Sequence, residues 1–150
     1  RGQRAVFSAQ PATARTADLI AAMEAGEAAH LETFDRLLAE RRVQPTLLAP
    51  LWRAAGFGLG AATALMGEKA AHACTAAVEE VIEEHYAQQS RVLAADEPAL
   101  TETLERFRAD EAAHRDQALE EGAAAAPGYG VLSAVIKFGC RAAIRISEKI

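Results

Sequence analysis

The chain has 150 residues, 51% hydrophobic and 25% charged, with a net charge of −5. That length suits one domain with a sizeable core, and the composition excludes a disordered chain. The acidic balance argues against a general nucleic-acid binder, whose footprint would be basic.

Charge is uneven: residues 131–150 hold Lys137, Arg141, Arg145 and Lys149 against Glu148, a local +3 that leaves −8 for residues 1–130. Cys74 and Cys140 both sit within apolar helical patterns, with no CxxC and no disulfide framework. A reducing compartment, cytosol or an organelle matrix, fits that usage. No signal peptide is visible. Arg1-Gly2-Gln3-Arg4 reads as the middle of a helix rather than a natural start, so residues are expected to precede it.

Alanine, leucine and glutamate dominate, and no alternating β-branched run suggests a strand. A first helical segment, residues 1–14, is expected to be interrupted by Pro11. A second runs from about Thr16 to Arg42 and stops before Pro45. A third, more apolar, runs from about Pro50 to Met66 and ends near Gly67. A fourth covers about Lys69 to Ala94, broken by Asp96-Glu97-Pro98. A fifth, from about Pro98 to Glu121, ends at Gly122, a good helix stop. The sixth follows Pro127-Gly128 and continues to the end. Six helices with short connections predict an all-α bundle of mostly antiparallel neighbours.

One internal echo stands out. Ala25-Gly26-Glu27-Ala28-Ala29-His30 matches Ala109-Asp110-Glu111-Ala112-Ala113-His114 at five of six positions. Residues three apart on a helix share a face, with Cβ atoms about 5–6 Å apart. Glu27 with His30, and Glu111 with His114, can therefore each reach one metal ion. A carboxylate with an imidazole suits iron or manganese, and two such turns form half of a ferritin-like di-metal site, the other two helices each adding a glutamate. In the fourth helix Glu79 shares a face with Thr75, Ile82 and Tyr86, suited to a buried pocket. Glu80 sits with Ala76, Glu83, Glu84 and Ala87, which reads as a solvated side. Glu79 is the expected ligand.

One Glu-x-x-His turn is weak evidence, since such pairs commonly lie on solvated faces. Two inside matching hexamers, with an acidic helix between them, are much stronger. His72 and His85 lie outside such turns and read as helix-surface groups or supports for the ligands. Four glutamates and two neutral histidines would neutralise two divalent ions, whereas carboxylates crowded without metal carry a desolvation cost. No acidic residue precedes Asp18, so the first helix supplies no carboxylate.

Ala54 to Met66 are thirteen residues without a charge, fewer than the roughly 20 needed to span a bilayer. They read as a buried connecting helix or as a membrane-lying helix that guides a greasy substrate, its glycines permitting close approach. In the sixth helix Lys137, Arg141, Arg145 and Lys149 recur every four residues beside Val135, Ile136, Cys140, Ala143 and Ile144. That stripe reads as suited to an anionic membrane surface, or as a solvated face. Gly56-Phe57-Gly58-Leu59-Gly60 follows no strand and makes no convincing dinucleotide fold.

The runs from Arg42 to Trp52 and from Gly56 to Gly67, with Ala73-Cys74-Thr75-Ala76-Ala77-Val78-Glu79-Glu80, His85-Tyr86, Phe107-Arg108-Ala109-Asp110-Glu111 and Gly139-Cys140-Arg141, resemble the demethoxyubiquinone hydroxylases. The resemblance covers nearly the whole chain. It implies a single ferritin-like di-iron domain over residues 1–150, with two additional membrane-facing helices. It puts Glu27, His30, Glu79, Glu111 and His114 on the family's iron ligands and Tyr86 beside the quinone pocket. The family's first-helix glutamate would be the residue immediately before Arg1. The implied reaction hydroxylates the ring of a polyprenylated methoxy-benzoquinol with O₂, two iron ions and reducing equivalents from NADH. A peripheral inner-membrane location is implied, on the cytoplasmic face in a bacterium or the matrix face in a mitochondrion, with a lipid-binding accessory protein of ubiquinone synthesis and self-association as partners. Two competing readings are a soluble di-metal protein of the ferritin or rubrerythrin kind and a metal-free helical scaffold for lipid or a partner protein.

Overall fold

The structure, a computed structural model, describes residues 1–9 and 12–149. Among the described residues there is no strand; the elements are six α-helices and one 3₁₀ turn. They are α1 (Gly2–Phe7), α2 (Ala14–Arg41), α3 (Ala49–Leu65), α4 (Glu68–Leu93), α5 (Pro98–Glu120), a 3₁₀ turn (Ala123–Ala125) and α6 (Tyr129–Ser147). The all-α expectation holds, and five helix ranges agree with the sequence reading to within a few residues. The first helix is shorter than the 1–14 expected. Pro11, expected to interrupt it, lies outside the described residues.

The helix limits follow from local chemistry. Thr13 caps α2, its side-chain oxygen accepting from the Thr16 backbone N–H at 3.2 Å, which satisfies one of the orphan donors of the first turn. Arg42 closes α2 in the left-handed region (φ 55°), and Pro45 follows. Pro50 and Pro98 stand in the first turns of α3 and α5, where a missing N–H costs nothing. Gly67 and Gly122 take φ of 113° and 92° beyond the ends of α3 and α5, a conformation that only glycine adopts cheaply.

The chain forms two compact units, Arg1–Ala71 with Ala142–Ile150, and His72–Arg141. In the first, α1 packs on α3. A Cβ on Gly2 would collide with the Phe57 carbonyl oxygen and lie 2.8 Å from the Ala61 nitrogen, and one on Gly60 would lie 3.2 Å from the Gln3 nitrogen. The close approach expected of the α3 glycines is thus made at Gly60, whereas Gly56 and Gly58 face open space. Gly2→Ala is expected to destabilise the protein by about 1–3 kcal/mol, the cost of overpacking; an unshifted thermal midpoint would contradict the crossing.

Arg4 donates to Glu24 of α2 at 3.0 Å, and that bond holds the Glu24 carboxyl below its ordinary range. Glu68, opening α4, accepts from the Thr13 backbone N–H and hydroxyl, both at 2.9 Å, and from the Thr16 hydroxyl. One carboxylate thereby ties the starts of two helices. Trp52 Nε1 donates to Ser147 Oγ at 2.8 Å, joining α3 to the end of α6.

In the second unit, Ala73 and Ala76 of α4, Ala118 of α5, Ala123 and Ala126 form a core of small side chains, with Tyr129 and Leu132 against it. Lys137 donates to Glu80 at 2.6 Å and Arg141 to Glu84 at 2.8 Å. Equal steps of four on both helices mean that α6 runs parallel to α4. Glu83 meets Arg115, while Tyr86 meets Phe107 with ring centroids 6.4 Å apart. Rising numbers on α4 meet falling numbers on α5, so these two are antiparallel.

These contacts correct two expectations. Residues 76, 80, 83 and 84 do not form a free solvated side: Ala76 is buried, and the three glutamates each grip a cation from α5 or α6. Lys137 and Arg141 do not present an open basic stripe, because α4 neutralises both. Val131, Val135, Phe138 and Ile146 of α6 are exposed, spaced along one helical face, with Arg145 exposed among them. No described helix is long and apolar enough to cross a membrane.

Candidate metal centre

Five residues were expected to ligate metal. In the second unit, Glu79 of α4 is 8% exposed and Glu111 of α5 is 1% exposed, with His114 one turn further along α5. Each offers a ligand atom, and these atoms all lie within 4.8 Å of one another. His114 Nδ1 stands 3.5 Å from Glu111 Oε2. Antiparallel packing of α4 on α5 brings the three together, because Glu79 projects from the covered face of α4 at the level where the Glu-x-x-His turn of α5 passes.

Burying two carboxylates side by side is costly unless a cation compensates them. Two carboxylates and an imidazole at this spacing match the oxygen and nitrogen donors that first-row divalent ions accept. The residues present therefore fit a metal ion. In the first unit, His30 is 6% exposed and Glu27 carries a buried Oε1. The helical spacing puts both on one face of α2.

Cys140 of α6 has its thiol pushed above the ordinary value, first by burial and then by the Glu79 carboxylate, so it stays protonated beside the cluster. His72, expected at a helix surface or supporting a ligand, is 2% exposed on α4 and so is not at the surface. The cross-helix ion pairs of Glu83 with Arg108 and Arg115 were missed by the sequence reading. The available signal was the seven-residue spacing of two arginines around the Glu-x-x-His turn.

The first unit holds a cavity of about 530 Å³ beside Glu27, walled by Leu31, Trp52 and Phe57, with Glu24 and Arg53 as charged lining. That volume lies within the range of small-molecule pockets.

Fold and site together define an all-helical protein whose second unit carries a buried carboxylate–histidine cluster able to hold a metal ion. The comparisons narrow this. The family model described as "Ubiquinone biosynthesis protein COQ7" matches residues 1–147, and the chain belongs to that family. The Rhodospirillum rubrum protein named 3-demethoxyubiquinol 3-hydroxylase is 49% identical over 150 residues, 100% of this chain and 69% of the relative. The human protein named NADPH-dependent 3-demethoxyubiquinone 3-hydroxylase, mitochondrial, is 46% identical over 125 residues, 81% of this chain and 58% of the relative. The Saccharomyces cerevisiae protein named 5-demethoxyubiquinone hydroxylase, mitochondrial, is 42% identical over 136 residues, again 81% and 58%. The chain thus spans 58% to 69% of the length of these relatives. By the names of these relatives the family is one of hydroxylating oxidoreductases.

Proposed function

We propose that this chain is a ring hydroxylase acting on a polyprenylated demethoxybenzoquinol in ubiquinone synthesis, built as one ferritin-like domain over residues 1–150. The observation that carries the reading is the convergence of Glu79, Glu111 and His114 within 4.8 Å in the interior of the second unit. Glu27 and His30 complete the donor set in this reading, because their turn repeats that of Glu111 and His114 almost residue for residue. The hydroxylase names of the relatives favour this reading over a ferritin or rubrerythrin role and over a metal-free scaffold.

When bound, a pair of iron ions would supply the O₂ chemistry that ring hydroxylation demands. The net change replaces a ring C–H by C–OH with one oxygen atom of O₂, while two electrons and two protons reduce the other to water. The human relative is named NADPH-dependent, whereas the sequence resemblance implied NADH. A reduced nicotinamide nucleotide is the statement the two share.

The chain's own residues do the positioning. Glu79, Glu111 and His114 hold a fixed donor geometry on two helices, the rigid placement that a precise site needs. Leu31, Trp52 and Phe57 offer apolar walls to the quinol ring beside Glu27. Tyr86, which the family resemblance puts beside the quinone pocket, is braced by Phe107 within the second unit. The exposed apolar residues Leu51, Phe57 and Leu65 of α3 and Val131, Val135 and Phe138 of α6 suit peripheral contact with a bilayer that carries the prenyl tail. Such contact accords with an inner-membrane location, and the human and yeast relatives are named mitochondrial. A lipid-binding accessory protein and self-association belong to the same reading.

The test combines elemental analysis of the purified protein with turnover of a short-chain demethoxyquinol, using NADPH or NADH. The expected outcome is bound iron and a product that has gained one oxygen atom. Bound iron with no hydroxylated product would hand the reading to an iron- or peroxide-handling protein, and absence of metal would hand it to the scaffold. Flotation with anionic liposomes checks the membrane part by itself; failure to float removes that part alone.

A further inference from the structure

Glu83 stands one helical turn beyond Glu79 on α4 and takes two arginines of α5. Arg115 donates to Glu83 through Nη1, and Arg108 Nε lies 3.8 Å from the other carboxylate oxygen. Arg108 and Arg115 are seven residues apart, about 10.5 Å along the helix axis, and they bracket Glu111 and His114 in sequence. The two guanidinium groups therefore reach one carboxylate from opposite directions along α5.

A slide of α5 toward either end would stretch one of the two pairs. A single ion pair resists sliding in one direction; two opposed pairs on a common acid resist both. Each arginine is anchored on its own helix as well, Arg108 by Glu105 at 3.1 Å and Arg115 by Asp116 at 2.8 Å. Side chains held at both ends have little freedom to accommodate a slip.

We infer that Glu83 is a positioning residue, a two-way clamp that sets the axial register of α5 against α4 and with it the placement of Glu111 and His114 opposite Glu79. The inference rests on the reading of those three as metal ligands. Ligand distances must hold to within about 0.2 Å, a tolerance that helix packing alone does not guarantee. Partly exposed ion pairs contribute little to overall stability, so the clamp acts on register rather than on folding.

A second physical effect makes the test decisive. If Glu83 acted only through its charge, removing it would weaken binding of a dication, and removing Arg115 would tighten it. A register clamp predicts weakening in both cases. The probe is Co²⁺ titrated into the metal-free full chain under anaerobic conditions, read by its visible absorption bands, which report ligand geometry, with melting of each metal-free protein in parallel.

Wild type should bind Co²⁺. Glu83→Gln and Arg115→Gln should each bind roughly 10-fold more weakly, the scale of outer ligand supports, with altered band intensities and metal-free melting within a few degrees of wild type. Unchanged affinity in Glu83→Gln, or tighter binding in Arg115→Gln, would overturn the clamp while leaving the metal centre intact. So would weakening matched by collapse of the metal-free fold in both variants, since a stability role then accounts for it. Failure of wild type to bind Co²⁺ removes the metal reading itself, and the clamp with it.

Discussion

Glu79→Ala is expected to lower hydroxylation by at least about 100-fold while leaving helix content nearly intact. Losing an outer support of a metal ligand already costs 10- to 100-fold, and Glu79 is proposed as a ligand itself. Its position on α4 tolerates the change locally, since alanine is the best helix former and α4 is rich in it. In the metal-free protein the substitution also removes one of two buried carboxylates that sit within 4.8 Å of a common donor set. Relief of that repulsion offsets the small cavity left behind, so metal-free melting should fall by no more than a few degrees. Loss of metal, loss of turnover and retained folding together identify a ligand. Retained turnover would move the assignment to another carboxylate, and wholesale unfolding would make Glu79 a structural residue instead.

Addition of Fe²⁺ or Mn²⁺ to the chelator-stripped protein should raise the melting temperature by roughly 5–11 °C. At a free metal concentration about 100 times the Kd, binding to the native state alone stabilises by about 2.7 kcal/mol, and a chain of this length shifts by about 2–4 °C per kcal/mol. The ligands come from residues far apart in sequence, so the unfolded chain assembles no comparable site. The shift should vanish in Glu111→Ala, whose native side chain is 1% exposed at the centre of the cluster. A curve that ignores added metal would contradict the centre directly. Differential scanning calorimetry with anaerobic Fe²⁺, and aerobically with Mn²⁺, makes the measurement.

The sequence made the helices legible because their signals are local. Pro50 and Pro98 open helices, Gly67 and Gly122 end them, and the alanine-, leucine- and glutamate-rich segments between carry strong helical propensity. The short 3₁₀ turn at Ala123–Ala125 went unforeseen, because three alanines carry no distinctive turn signal. The Glu-x-x-His echo was equally readable, since spacing of three on a helix places two side chains on one face whatever lies around them. Glu79 was separable from Glu80 by the apolar company it keeps on its own helix.

What failed was the reading of faces whose cover comes from elsewhere in the chain. Glu80, Glu83 and Glu84 look solvated when α4 is considered alone, and Lys137 and Arg141 look like a basic surface when α6 is considered alone. Lys137 reaches Glu80 and Arg141 reaches Glu84, 57 residues apart in both cases, while Glu83 is met by arginines of α5. Opposite charges on two helices resemble two solvated surfaces until packing brings them together. The surface alternative for His72 fell for the same reason, since nothing near it in sequence reveals that α4 is covered there.

The amino-acid sequence by itself determined the all-helical class, the limits of five helices, the two metal-type turns and the family. The first three follow from intrinsic propensity, capping and short periodicity, which act within a few residues, and the family from the resemblance carried by runs such as Arg42 to Trp52 and Gly56 to Gly67. Tertiary structure alone decided that Glu79, Glu111 and His114 converge, that Glu83 holds two arginines, and that Lys137 and Arg141 of α6 are taken up by α4 while Val131, Val135 and Phe138 stay exposed. Those outcomes depend on which helix lies against which and in what register, and that is set by packing between segments that local signals cannot compare.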